Sequence, residues 1–60
     1  MRGKEVRQIR RALGWTQVQL AESLGVTGNT VARWERDEVT ITESMARLIR
    51  MTYAAQKGQE

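Results

Sequence analysis

Three polar side chains near the middle of the sequence have the types and the spacing that reading DNA bases requires. Asn29, Arg33 and Arg36 recur three or four positions apart, which places them on one face of a helix. Asparagine can pair bidentately with adenine, and arginine with guanine, at the base edges exposed in the major groove. Thr27 and Thr30 flank this face and are suited to touch a thymine methyl group or a phosphate. The alternative is that these side chains only face water, as polar residues do on any surface helix.

The opposite face of the same segment is apolar except for one acid. On a helical projection, Trp34 and Glu35 lie within about 60° of Val31. In the same way, Arg10 interrupts an apolar stripe near the start of the chain. A lone buried charge is costly, whereas pairing with an opposite charge is the usual condition for burial. We therefore predict a structural ion pair between Arg10 and Glu35; the alternative is two surface charges that point apart.

The elements that position these side chains are all predicted to be helices, because apolar residues repeat every three or four positions and nowhere alternate. The first helix is expected at about residues 4–13, with Gly14 as its end. The second helix begins at Thr16, whose spacing to Gln19 is that of a capping box, and stops at Gly25. The short turn that follows is typical of a helix-turn-helix.

The third helix is predicted at about residues 27–36, and a polar loop at 37–41 follows it. A fourth helix starts after a cap at Thr42. We expect it to fray after Ala55, so that residues 1–55 form one domain and residues 56–60 a disordered polar tail. The predicted apolar stripe of this helix comprises Met45, Leu48, Ile49 and Thr52.

The composition narrows the classes of function. The chain has 60 residues, the size of one small domain, and contains neither Cys nor His, which removes disulfides, thiolate metal sites and the commonest general base. Its net charge is +3, and residues 1–13 carry five basic side chains against one acidic one. This excess suits a phosphate backbone, and equally a surface that only keeps the protein soluble. With no apolar run near the roughly 20 residues of a membrane span, and no secretory signal, we expect a cytoplasmic protein without a cofactor.

Four stretches of the sequence together resemble one known family. They are residues 9–17 (IRRALGWTQ), 20–21 (LA), 24–27 (LGVT) and 31–36 (VARWER). Over roughly residues 5–52 the chain is similar to the Cro/lambda-repressor (XRE-type) helix-turn-helix family. The resemblance implies an all-α, lambda-repressor-like fold, a compact bundle of four or five helices that contains the helix-turn-helix. It also implies a prokaryotic or phage-type, nucleoid-associated protein that binds palindromic operators in double-stranded DNA as a homodimer.

The resemblance also assigns roles to individual residues. It implies base contacts from Thr27, Gly28, Asn29 and Arg33. It implies contacts with the DNA backbone from Gln17, Arg36 and Thr40, and from the residues themselves we add Thr16 and Thr30 to this set. Arg10 and Glu35 match an ion pair of the lambdoid phage repressors. The chain departs from the family pattern where Gly28 replaces a long polar side chain, where Asp37 replaces a glycine, and where Asp37 and Glu38 add negative charge.

Taken together, these features predict a sequence-specific transcriptional regulator whose recognition helix, about residues 27–36, lies in the major groove. Three roles stay open: a repressor, an antitoxin-type autoregulator with a toxin or other protein partner, and the DNA-binding part of a larger regulator. An enzyme is not expected, because no carboxylate is grouped with a nucleophile, a metal ligand or a phosphate-binding loop.

Apolar side chains outside the predicted DNA-binding helix support a different interpretation. Together they would form a patch that docks another chain, in which case the protein is an interaction module with the same fold. The candidate patch comprises Trp15, Met45, Met51 and Tyr53. Met51 and Tyr53 are also the predicted dimer interface, because no fifth helix is evident to cover the end of the fourth.

Overall fold

A computed structural model describes residues 1–57, which form four α-helices and no strands. The helices are α1 (Gly3–Leu13), α2 (Gln17–Leu24), α3 (Gly28–Glu35) and α4 (Glu43–Lys57). This arrangement confirms the predicted all-α bundle with a helix-turn-helix, and within the described residues it has four helices rather than five. No helix in residues 1–57 is both long enough and apolar enough to cross a membrane.

Local hydrogen bonds set the end of α1 and both ends of α2 where the sequence predicts them. The Thr16 hydroxyl oxygen accepts from the Gln19 amide at 3.1 Å, and the Gln19 side chain accepts from the Thr16 amide at 2.7 Å, which completes the capping box. Gly14 and Gly25 end the two helices in the left-handed region, with φ of 71° and 75°. A residue with a Cβ is strained in this conformation, so the two glycines stop their helices at fixed positions.

The end of α3 has the same geometry without a glycine. Asp37 has a φ of 58°, its amide donates to the Trp34 carbonyl at 3.0 Å, and the Glu38 amide donates to the Arg33 carbonyl at 3.0 Å. These are the paired bonds of a Schellman motif, with aspartate in the left-handed position. The Asp37 carboxylate also accepts from the Gly3 amide at 2.9 Å, and so caps the start of α1. Asp37, which replaces the glycine of the family pattern, therefore ends α3 and also caps α1.

The start of α1 lies one residue earlier than predicted, at Gly3, which is buried against the last turn of α3. A Cβ at Gly3 would collide with the backbone carbonyl oxygens of Trp34 and Glu35. The absence of a side chain therefore lets the two helices approach closely at this point. This contact helps to orient α3 in the bundle.

All four helices contribute to one hydrophobic core. Four fully buried side chains lie at its centre: Val6, Leu20, Val31 and Ile49. Ala21, Leu24, Trp34, Ile41 and Ala46 complete the core. Helices α2 and α3 pack closely on each other, as the three-residue turn between them requires, and α1 and α4 close the other sides. The apolar face of α3 is therefore buried, and its opposite face is free.

Two predictions for the fourth helix are wrong in detail. First, α4 continues to Lys57 instead of fraying after Ala55, so residues 56 and 57 are helical, and residues 58–60 of the predicted tail lie outside the described residues. The Lys57 ammonium lies 5.2 Å from the centre of the Tyr53 ring, one turn earlier, and this contact stabilises the two additional helical residues. Second, Leu48 is 39% exposed, and Ala46 takes its place in the core with Ile49. The buried face of the helix is therefore rotated away from Leu48 and toward Ala46.

Candidate nucleic-acid interface

The outer face of α3 carries the three polar side chains singled out in the sequence. Asn29, Arg33 and Arg36 are exposed, whereas Val31 and Trp34 are buried. The phase of the helix alone produces this division, because residues three or four apart share a face. The structure thus brings an amide and two guanidinium groups together on one accessible surface.

The N-terminal end of α3 is held by two threonines. The Thr27 hydroxyl oxygen accepts from the Thr30 amide at 3.3 Å, and the two hydroxyl oxygens lie 2.9 Å apart. Thr27 is therefore the N-cap of the helix, which the sequence predicts from its residue type. Because the two hydroxyls share one hydrogen bond, one hydroxyl proton is left for a further acceptor. Gly28 follows, half-buried against Val18 of α2.

A buried carboxylate joins α3 to α1. Glu35 accepts from Arg10 at 2.7 Å (Nε to Oε2) and at 3.2 Å (Nη2 to Oε1), and Arg10 also donates to the Trp15 carbonyl at 3.0 Å. The side chains of Glu35 and Arg10 are only 1% and 17% exposed. The ion pair predicted from the two interrupted apolar stripes is thus present, and it holds the end of α3 against α1.

Two further side chains approach the same carboxylate. Arg7, one turn before Arg10, donates from its Nε to Glu35 Oε1 at 3.3 Å, and Gln17 of α2 donates from its amide nitrogen at 3.4 Å. The sequence prediction did not include Arg7, although its spacing from Arg10 places it on the same face of α1. The Arg7 side chain is 47% exposed, so Arg7 lies at the edge of this cluster. Glu35 therefore collects side chains from both helices that precede α3.

The protonation of this cluster follows from its contacts. Burial raises the pKa of Glu35. The hydrogen bond and the charge of Arg10 lower this pKa, as do the weaker hydrogen bonds from Gln17 and Arg7, and together they outweigh the effect of burial. The net pKa of Glu35 lies below its ordinary value. The hydrogen bond to Glu35 likewise raises the pKa of Arg10. Both groups therefore stay ionised at neutral pH, which a buried pair needs in order to remain paired.

One acidic side chain borders the outer face of α3. Glu38 accepts from Arg36 Nε at 2.6 Å, and its other oxygen lies 3.9 Å from Arg33 Nε. All three side chains are about half exposed, with 50% for Arg33, 57% for Arg36 and 48% for Glu38. A phosphate or base that binds either arginine must therefore compete with an internal carboxylate. The sequence indicated negative charge here, but not its contact with both arginines.

The other residues expected to touch a DNA backbone lie at the start of α2 and in the loop after α3. Thr16 is exposed at the start of α2, and Gln17 beside it is half-buried with its amide turned toward Glu35. The Thr16 oxygen accepts within the capping box, so its hydroxyl proton remains available to a phosphate. Thr40 is exposed in the loop between α3 and α4. The backbone amides at the start of α2 add a partial positive charge next to Thr16 and Gln17.

The apolar side chains predicted to form a docking patch do not share one exposed surface. Of the four, only Met51 is exposed, at 61%, whereas Trp15 and Met45 pack against the core and Tyr53 is half-buried.

Among residues 1–57, no three acidic side chains converge as metal ligands would. A surface depression of about 290 Å³ is lined by residues of α4 alone, so it is an open groove along one helix rather than an enclosed cavity.

Comparison with known proteins gives one match. A family model described as Helix-turn-helix matches residues 6–53, which is most of the chain and includes all of α2 and α3. The chain matches no curated protein and no solved structure.

Proposed function

Because this chain belongs to the Cro/C1-type (XRE) helix-turn-helix family of DNA-binding proteins, we propose that it binds a defined sequence in double-stranded DNA and regulates transcription there. The family is one of regulators and is not typically enzymatic. In this proposal α3 lies in the major groove, with Thr27, Gly28, Asn29 and Arg33 toward the bases. Arg33 pairs with a guanine and Asn29 with an adenine.

The observation that supports this proposal best is the division of α3 into two faces. The buried face holds the helix in the bundle through Val31, Trp34 and the ion pair of Glu35. The outer face presents Asn29 and Arg33 with their polar ends exposed. A base-reading side chain needs a rigid helix behind it, because loss of orientation costs both affinity and specificity.

Backbone contacts would set the position of α3 in the groove. In our proposal these come from Thr16 and Gln17 on one side, and from Thr30, Arg36 and Thr40 on the other. Gln17 donates one amide hydrogen to Glu35 and has a second hydrogen for a phosphate. The first set belongs to the start of α2, and the second to α3, its last turn and the loop that follows.

Selection from a pool of random duplexes tests the proposal directly. The full chain is incubated with the pool, and the bound duplexes are sequenced after several rounds. We expect a consensus site, with a guanine and an adenine at positions that Arg33 and Asn29 can reach together. Recovery of random sequences would contradict the proposal, and absence of binding even at low salt would favour an interaction module.

The variant Arg33→Ala separates base reading from backbone contact. Loss of a bidentate pair to guanine is expected to cost about 1–3 kcal/mol on the selected site and to relax the preference at one base position. Binding to a mixed-sequence duplex should change much less. An equal loss on both duplexes would instead make Arg33 a phosphate contact.

We further propose that the protein binds a palindromic operator as a homodimer through the last turns of α4. Met51 is 61% exposed there and Leu48 is 39% exposed, while Tyr53 is half-buried and contributes only an edge. A dimer doubles the site that a small domain can read. Sedimentation of the full chain with and without the selected duplex tests this point, and Met51→Glu is expected to reduce the two-to-one complex. A single chain per symmetric site would contradict it.

The position of the protein in a regulatory circuit follows from what it binds besides DNA. A repressor that acts by covering a promoter needs no partner, whereas an antitoxin-type autoregulator also holds a toxin. Co-expression with the product of the neighbouring open reading frame, followed by co-purification, distinguishes the two roles. Either role places the protein with the chromosome, in the cytoplasm of a prokaryotic cell.

A further inference from the structure

One apolar side chain is exposed at the junction of α2 and α3. Val18 lies in the first turn of α2 and is 57% exposed, next to Gln17, in a part of α2 that is otherwise polar at its surface. The other exposed large apolar residues, Val39, Leu48 and Met51, lie in the loop after α3 or on α4. Of the large apolar residues in α2, α3 and the turn between them, Val18 alone is therefore exposed.

The neighbour of Val18 explains why its methyl groups are uncovered. Gly28 of α3 lies beside Val18, and a Cβ built at Gly28 would stand 3.0 Å from Val18 Cγ2 and 3.6 Å from its Cα. Any side chain at position 28 would thus lie on Val18 or push it aside. Because glycine has no side chain, α2 and α3 meet with the valine methyl groups open to the outside.

The position of this pair relates it to the proposed DNA surface. Gly28 is the first residue of α3 and directly precedes Asn29, while Val18 directly follows Gln17. The apolar spot is therefore made by the chain neighbours of a proposed backbone contact and of a proposed base contact. A side chain in this place faces either a phosphate, a polar base edge or an apolar group of a base.

We propose that Val18, uncovered by Gly28, contacts the C5-methyl group of a thymine in the operator. This inference rests on the proposed function. The thymine methyl is the one apolar group that base pairs present in the major groove, and small apolar side chains are its usual partners. A phosphate or a polar base edge would gain no hydrogen bond from valine and would lose hydration, so neither stabilises the complex. The glycine that replaces a long polar side chain in the family pattern thereby transfers base reading to α2.

Replacing single thymines tests the contact without touching the protein. Deoxyuridine differs from thymidine only in lacking the C5-methyl group, so each thymine of the selected site is replaced in turn. For the unmodified chain we expect one position in each half-site to bind about fourfold more weakly, the factor for burial of one methyl group. For Val18→Ala we expect this position to become insensitive to the replacement. The variant should fold, because the site is exposed and alanine favours helix.

A matched variant and the separate outcomes make the test decisive. Val39→Ala makes the same change at an exposed valine outside the helix-turn-helix, and it should keep the sensitivity of the unmodified chain. If a consensus site is selected but no thymine is sensitive, or if Val18→Ala keeps the sensitivity, the inference is overturned while the proposed function stands. If no consensus is selected at all, the proposed function fails, and the inference fails with it.

Discussion

At the scale of single residues, Glu35 decides how α3 is held. Its carboxylate is 1% exposed and accepts from Arg10, Arg7 and Gln17, which come from α1 and α2. Burial alone would disfavour the charge, so the cluster is stable only while its donors are present. The outer face of α3 is therefore oriented by a charge on the opposite side of the same helix.

Removal of one partner should have effects that depend on burial. Arg10→Met leaves the Glu35 charge buried with weaker partners and is expected to lower the free energy of unfolding by about 3 kcal/mol. Arg7→Met removes a half-exposed partner of the same carboxylate and should cost less than about 1 kcal/mol. Urea denaturation at pH 7 measures both values. Equal losses would contradict this account, and Arg10→Met combined with Glu35→Leu should recover most of the stability.

The same carboxylate predicts a pH dependence. Because the pKa of Glu35 in the folded state lies below its ordinary value, the contribution of Glu35 to stability is complete above the ordinary pKa and is lost as the pH falls through the folded pKa. The raised pKa of Arg10 acts only at strongly alkaline pH. We expect the free energy of unfolding to fall more steeply below about pH 4 for the unmodified chain than for Glu35→Gln. Parallel acid profiles of the two proteins would count against the contact.

At the scale of the helices, α1 and α3 cap each other. Arg2, the residue before α1, makes no side-chain cap, and the Gly3 amide is satisfied instead by the Asp37 carboxylate, 34 positions away in the sequence. Asp37 in turn ends α3 in a left-handed conformation that aspartate tolerates better than most residues. The boundary of each helix thus depends on the position of the other.

The close approach at Gly3 gives a prediction for this pair of helices. Gly3→Ala places a methyl group against backbone carbonyls that cannot move aside, and it is expected to lower the free energy of unfolding by about 2 kcal/mol, although alanine favours helix. Gln8→Ala, on the exposed side of the same helix, should change it by less than about 0.5 kcal/mol. Thermal and urea denaturation compare the three proteins. Unchanged stability of Gly3→Ala would mean that α1 and α3 are further apart.

At the scale of the whole molecule, charge and size set how the protein would bind DNA. A domain of 60 residues with a net charge of +3 offers a small surface, and Glu38 offsets part of the charge of Arg33 and Arg36 at that surface. Intrinsic affinity should therefore be modest, and pairing of two domains on one site would supply the rest.

Salt dependence measures the phosphate contacts of this surface. The logarithm of the binding constant should fall linearly with the logarithm of the salt concentration, and Arg36→Gln is expected to reduce the slope by about 1 if Arg36 neutralises one phosphate. Arg50→Gln removes an exposed arginine on α4 and serves as the control, with no expected change in slope. A slope unchanged by Arg36→Gln would show that Glu38 keeps this guanidinium even in the complex.

The sequence by itself determined the features that depend on neighbours three or four positions apart. The ends of α1 and α2 follow from Gly14, Thr16 and Gly25, because capping and left-handed turns use local hydrogen bonds. The two faces of α3 follow from its period, and the Arg10–Glu35 pair follows from two charges that interrupt apolar stripes.

Tertiary structure decided what depends on which helices meet. The burial of Gly3 against α3 and the cap that Asp37 gives to α1 come from contacts between helices that no local period contains. The same holds for Val18, whose exposure depends on the missing side chain of Gly28 across the turn between α2 and α3. Helical periodicity tells which side of a helix faces inward, but only packing determines which residue of another helix lies opposite, because that depends on distance and crossing angle.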